Sequence, residues 1–163
     1  MTIEANKALF LRCFAVINGA DPATLDGAFA DDALIHSPGE PGGIHGVEAF
    51  KRFVLKLRAG FPDLQTTIDD LVAEGTIVAA RISLRGTHRA EYRGIPATGR
   101  TIAQTELIMA RIVDGRVQAV WQVIDALGVM QQLGLAPMGD PPRLIARLIV
   151  GLQRLRGGMR AGS

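Results

Sequence analysis

The chain has 163 residues, 48% of them hydrophobic and 21% charged, a balance that suits one soluble domain with its own core and excludes a disordered polar chain. The formal charge is only +2, and the arginines that make the chain basic cluster after position 142 without interleaved aromatics, so nucleic-acid binding is not expected. Cys13 is the only cysteine, which rules out an internal disulfide and a cysteine-rich metal site and makes a reducing cytoplasm the expected compartment.

The N-terminal stretch MTIEANKALFLRCF lacks a basic run followed by a long apolar one, and neither export nor membrane insertion is expected. Between Ile3 and Asn18, apolar residues at Ala8, Leu11, Phe14, Ala15 and Ile17 recur at helical spacing, and Asn18-Gly19 supplies a stop. Asp21-Pro22 predicts a short second helix through Phe29, because aspartate caps an N-terminus and proline fits a first turn. Ala33 to His36 reads as a short strand, and SPGEPGG, from Ser37 to Gly43, as a loop that can serve as a flap. Helical spacing returns from Gly46 to Ala59, with Val47, Phe50, Phe53, Val54 and Leu57 on one side.

Four strand-like runs follow: Leu64 to Glu74, Ile77 to Thr87, Thr101 to Val113 and Arg116 to Ile124, separated by Glu74-Gly75, a proline and glycine loop, and Asp114-Gly115. Helices first and a meander afterwards predict an α+β domain, with helices packed on one face of a curved antiparallel sheet. Asp125 to Leu133 predicts a short helix ended by Gly134, and LAPMGDPP a linker. The expected division is one domain over 1–135, then a linker and tail over 136–163.

Three blocks, AGFPDLQTTIDDLVAEG, RGTHRAEYRGIPATGR and RIVDGRVQAVWQVIDALGVMQQLG, together with HSPGEPGGIHGVEAFKRFV, resemble successive blocks of the SnoaL-like polyketide cyclases, whose fold is the nuclear-transport-factor-2-like cone. The resemblance is colinear over roughly residues 4 to 135. It implies a cone of sheet and helices around a deep, mostly apolar cavity. It also implies ring closure of a small polyketide-like substrate by a cavity carboxylate, without a metal or organic cofactor. Related cones hydrolyse epoxides, isomerise steroids or only bind ligands, so three readings stand: a cyclase, a hydrolase or isomerase of small lipophilic molecules, and a non-catalytic binding module.

The family's last strand often carries histidine, tryptophan and aspartate, where this chain has Val120, Trp121 and Gln122. An amide cannot exchange a proton near neutral pH, so the expected acid has to come from elsewhere. Glu106, in the mostly apolar run TIAQTELIMARI, is the candidate acid or base, with Gln122 as its hydrogen-bonding neighbour. The expected turn is a three-residue one at Val113-Asp114-Gly115, which sets the two opposite each other on one face, inside the cone; a two-residue turn would set them on opposite faces. With Ile108 and Val120 also apolar, a closure governed by substrate shape, including a pericyclic one, is compatible with the pattern.

His36 ends the strand before the flap at a position where the family often has histidine, and is a candidate to bind substrate oxygen or shuttle a proton; anchoring the loop is the plainer alternative. Arg81, if it faces the cavity, must pair with a carboxylate such as Glu106; facing outward, it leaves Glu106 as an acid in an apolar pocket. Asp125 keeps the family's aspartate after the last strand, and its place before ALGVMQQL suits a helix cap as well as a substrate contact. A hydrolase would need Glu106 and Asp125 in one cavity. His88 and Tyr92 belong to a block that lies near the cavity mouth in the family. Trp121, Phe14 and Phe53 offer aromatic surface either to a ligand or to the core. The histidines have no metal-ligand spacing, and no metal is expected.

The segment from Arg143 to Arg156 alternates apolar residues with arginines and predicts a basic amphipathic helix that packs within an oligomer, lies on an anionic membrane surface or docks on a synthase or carrier domain. The outer sheet face predicts a homodimer.

Overall fold

A computed structural model of the chain describes residues 2–137. The predicted tail helix and most of the linker lie outside the described residues. Helix α1 (Ile3–Ile17) begins at Thr2, whose hydroxyl accepts from the Ala5 amide, and stops at Asn18. Its buried residues are Asn6, Leu9, Phe10, Phe14 and Val16, while Leu11 is exposed, so the helix is rolled relative to the predicted apolar stripe. The Asn18 amide locks this end to the sheet: it accepts from the Thr66 amide and hydroxyl and donates to the Thr66 carbonyl.

The predicted second helix is only a single 3-10 turn over Pro22–Leu25. The chain then enters β1 (Phe29–His36), longer than the predicted strand, because Phe29, Ala30, Ala33 and Ile35 all find core to fill. After the flap come the two-residue strand β2 (Ile44–His45) and helix α2 (Gly46–Gly60). Strands β3 (Gln65–Glu74), β4 (Ile77–Thr87), β5 (Thr101–Val113) and β6 (Arg116–Ile124) form the meander, and α3 (Ala126–Gln132) closes the described chain.

The six strands form one curved, unclosed sheet in the order β2-β1-β6-β5-β4-β3. All pairs are antiparallel except β1 with β6, which run parallel, so the predicted antiparallel sheet is a mixed one. Helices α1 and α2 cover its inner face. The main core joins Leu9, Phe10 and Phe14 of α1 and Val54 of α2 to Val78, Ala80, Ile82, Ala110 and Ile112 of the sheet.

The turn between β5 and β6 decides what the inner face carries. It is the two-residue turn Asp114-Gly115, with φ 48° and 77°, not the three-residue one. The register then shifts between Arg111 and Ile112: Ile112 faces Val117 but Arg111 faces Ala119, leaving Gln118 as an extra residue. This bulge flips the alternation once more, so Ile108 faces Gln122 and Glu106 faces Ile124. Glu106 and Gln122 thus share the inner face as diagonal neighbours, not as a directly opposed pair.

Candidate active site

Strand alternation puts Ile102, Gln104, Glu106, Ile108 and Ala110 of β5 inward. Glu106 is 5% exposed, and both its oxygens accept from neutral amides: Oε1 from Gln104 Nε2 at 2.5 Å and Oε2 from Gln122 Nε2 at 2.7 Å. Burial pushes its carboxyl above the ordinary carboxylate range, and the Gln122 and Gln104 amides offset part of that shift. The Gln122 carbonyl in turn accepts from the Ser37 hydroxyl at 2.8 Å. Ser37, Gln122, Glu106 and Gln104 therefore form one hydrogen-bonded row from the flap to β5.

Two adjoining spaces flank this row. One, of about 190 Å³, is bounded by flap residues Ser37, Pro38 and Gly39, by Tyr92 and Arg93 of the β4–β5 loop, by Val129 and Met130 of α3 and Leu133 at its C-terminal cap, and by Glu106 and Gln122. The other, of about 70 Å³, is an apolar recess lined by Phe10, Phe14, Phe29, Phe50, Phe53, Ile108 and Val120, among others. Phe53 and Gln122 belong to both, so they mark the boundary between a polar-edged vestibule and an apolar end.

Of the residues singled out from sequence, Glu106, Gln122, Tyr92, Phe14 and Phe53 come together around these spaces. Burial raises the Tyr92 phenol's pKa, and its ring meets Phe61 edge-on at 5.7 Å. Five others, Arg81, His36, Trp121, Asp125 and His88, line neither space. Arg81 faces outward on β4, where it binds Asp70 at 2.7 Å and Asp69 at 3.0 Å, and it has no share in the cavity. The bulge at Asp69 in β3 brings both acids within its reach. His36 is exposed on the outer face and stacks on Trp121 at 5.8 Å, because alternation in β1 turns Ile35 inward and His36 out. Trp121 is turned outward with it, beneath the Arg111 guanidinium, so it fills neither core nor cavity.

Asp125 caps α3, accepting from the Gly128 amide at 2.8 Å. It does not line either space beside Glu106. His88, expected near the cavity mouth, lines neither space: it is 1% exposed, stacked on Phe61 at 5.1 Å, with Nδ1 against Thr98. Sequence reasoning missed Gln104 and Ser37. The spacing of Gln104 two before Glu106, hence on the same face, was the available signal; Ser37 becomes legible only once the flap is folded. Among the described residues, no cluster of three or more His, Cys, Asp or Glu side chains could hold a metal ion. No helix among them is long and apolar enough to cross a membrane.

The chain that carries this buried carboxylate is similar to known proteins over most of its described length. The model of the SnoaL-like polyketide cyclases matches residues 8–133. The chain belongs to that family. Aklanonic acid methyl ester cyclase DnrD of Streptomyces peucetius is 34% identical over 104 residues, 63% of this chain and 68% of that protein. The corresponding cyclase DauD of Streptomyces sp. (strain C5) is 34% identical over 121 residues, 68% of this chain and 72% of that protein. Among solved structures, IdmH of Streptomyces antibioticus superposes with a TM-score of 0.66 at 34% identity, covering 79% of this chain and 98% of its own. The chain is a polyketide cyclase by this membership.

Proposed function

We propose that the protein closes a ring of an apolar polyketide-like substrate by an intramolecular aldol reaction, with Glu106 moving the proton. The observation that carries this reading is the Glu106 carboxylate itself, buried on the inner face and, among the described residues, gripped by neutral amides alone. The carboxylate takes a proton from a carbon flanked by carbonyls, and that carbon bonds to a second carbonyl carbon of the same molecule. Glu106 then returns the proton to the resulting alkoxide. The reaction conserves every atom and is redox-neutral, so proton movement, folding of the substrate and exclusion of water are all the protein must supply, with no cofactor.

The acid that the family pattern sets at position 122 stands here on the neighbouring strand, 2.7 Å from the amide that takes its place. The apolar recess with Phe14 and Phe53 holds the hydrocarbon part of the substrate, and Tyr92 offers a hydroxyl to a substrate oxygen at the vestibule. The hydrolase reading lacks support, since it needs Asp125 beside Glu106 and Asp125 is a helix cap outside the cavity. A binding module needs an outward Glu106 and a cavity filled by Trp121 and the phenylalanines; Glu106 points inward and Trp121 lies on the outer face, while the phenylalanines line the recess.

The test is product formation from aklanonic acid methyl ester and related polyketide esters by folded variants. Glu106→Gln is expected to lose about 100-fold or more, the usual contribution of a positioned acid/base. Gln122→Ala is expected to lose about 10- to 100-fold, the worth of one hydrogen bond to a charged group. Wild-type amounts of product from both variants would overturn the assignment and leave closure by shape alone.

A further inference from the structure

The flap is held from outside by a residue whose backbone is unfavourable for its type. Arg93 sits at φ 53° beside Gly94 at φ 75°, in a two-residue turn closed by reciprocal backbone bonds between Tyr92 and Ile95. A bulky residue is disfavoured in that left-handed region, so contacts elsewhere must hold it there. Those contacts cross the cavity mouth. Nη1 donates to the Pro38 carbonyl at 2.8 Å and Nη2 to the Glu40 carboxylate at 2.9 Å, and the guanidinium lies 5.3 Å from the Tyr92 ring centre and 5.9 Å from that of Phe53. Between the two bonds, Gly39 at φ 80° leaves room for the guanidinium; any Cβ there would collide with it.

The flap's first residue reaches the reactive carboxylate through one intermediary. Ser37 donates to Gln122 Oε1, and Gln122 Nε2 donates to Glu106 Oε2. The same short segment, turned at Ser37–Glu40 and Glu40–Gly43 by backbone bonds of 3.1 and 2.9 Å, thus carries Arg93's two acceptors and the hydroxyl that fixes the Gln122 amide.

We propose that Arg93 is a positioning residue that latches the flap, so that freeing the mouth of the cavity and loosening Gln122 from Ser37 are one event. With the latch closed, the Ser37 hydroxyl orients and polarises the Gln122 amide, and its N–H is aimed at Glu106. With the latch open, Ser37 leaves with the flap and Gln122 is free to turn. Entry of a substrate therefore disturbs the grip on Glu106, and closure over the substrate restores it. The consequence for catalysis rests on the reading of Glu106 given above. The coupling itself does not, and is measured without substrate.

The experiment follows two signals by nuclear magnetic resonance: hydrogen exchange of the Glu40 and Gly43 amides in the flap, and the side-chain amide resonances of Gln122. Arg93→Gly removes the latch and relieves the left-handed strain, so the variant retains its fold; Glu40→Gln removes the ion pair alone. Flap exchange is expected to accelerate about tenfold in Arg93→Gly and about two- to fivefold in Glu40→Gln, the worth of an exposed ion pair. In both, the Gln122 signals are expected to move toward their position in Ser37→Ala, further in Arg93→Gly. Faster flap exchange with Gln122 unmoved would refute the coupling, and unchanged exchange would refute the latch. Loss of the cyclase reading would leave both signals as expected.

Discussion

The two faces of the sheet invert the usual assignment of polarity, and they do so on adjacent residues. On β5, Glu106 is buried while Leu107 beside it is 56% exposed; on β6, Gln122 lines the cavity while Val123 is 63% exposed. A sheet that served only its own stability would place the leucine and valine inward and the polar groups in water. Both halves of the inversion call for an occupant: the polar row inside is set for a ligand, and the apolar patch outside, with Val72, Met109 and Trp121, is set for a surface that covers it.

We propose a second copy of the chain as the cover of that outer patch, because its rim carries both charge signs, Asp69 and Asp70 with Arg81, and Arg111 over Trp121, a pattern compatible with the self-complementary surface of a two-fold contact. The largest effect expected is therefore on assembly. Val123→Asp is expected to turn a dimer into a monomer by light scattering with cavity residues untouched, and a wild-type monomer would remove the need for a cover.

Next in size is the contrast between the faces in stability. Ile82→Ala, at a site 1% exposed between helix and sheet, is expected to cost about 2–5 kcal/mol in denaturant unfolding. Leu107→Ala on the outer face is expected to cost under about 0.5 kcal/mol within one protomer. Similar losses for both would show that the outer patch is already core in the assembled state.

The inversion also explains how much of the molecule was legible in sequence. The meander's strands were readable almost to the residue, because β-branched runs and the Glu74-Gly75 and Asp114-Gly115 turns punctuate them. The facing of Glu106 was not readable from the turn: the two-residue connection alone would have put Gln122 outside, and the Gln118 bulge, which has no sequence signature of its own, restores it to the inside. The outward facing of His36 and Arg81 had another cause: alternation fixes relative facing along a strand, but only tertiary packing fixes which face is inner. The second helix failed because Leu25 and Ala28 bury completely in a short turn, leaving Phe29 to start the strand.

Glu106 also gives the inner face a pH signature. Burial raises its carboxyl pKa, so between the unfolded and the folded value the native protein keeps a proton that the unfolded chain has released. Stability attributable to this group is therefore fully present below the unfolded value and is lost as pH rises through the folded one. Each unit of upward displacement corresponds to about 1.4 kcal/mol. Glu106→Gln is expected to gain on wild type in thermal unfolding as pH rises across that window and to converge with it at lower pH. A constant difference would mean the carboxylate is not penalised where it sits.

The smallest effect sharpens the boundary of the site at Asp125. Its carboxylate folds back on Gly128, whose missing Cβ leaves the space it occupies, and accepts from that residue's amide at 2.8 Å. Removing a cap of this kind costs about 1 kcal/mol, and asparagine caps as well as aspartate does. Asp125→Ala is thus expected to lower stability by that amount, and Asp125→Asn to restore most of it. The asparagine variant separates the two roles, because it keeps the hydrogen bond to the helix but cannot exchange a proton. Product formation by Asp125→Asn close to wild type would confine the acid/base chemistry to Glu106. A folded Asp125→Asn that makes no product would place a second carboxylate in the reaction, and with it the hydrolytic chemistry that the outward position of Asp125 now argues against.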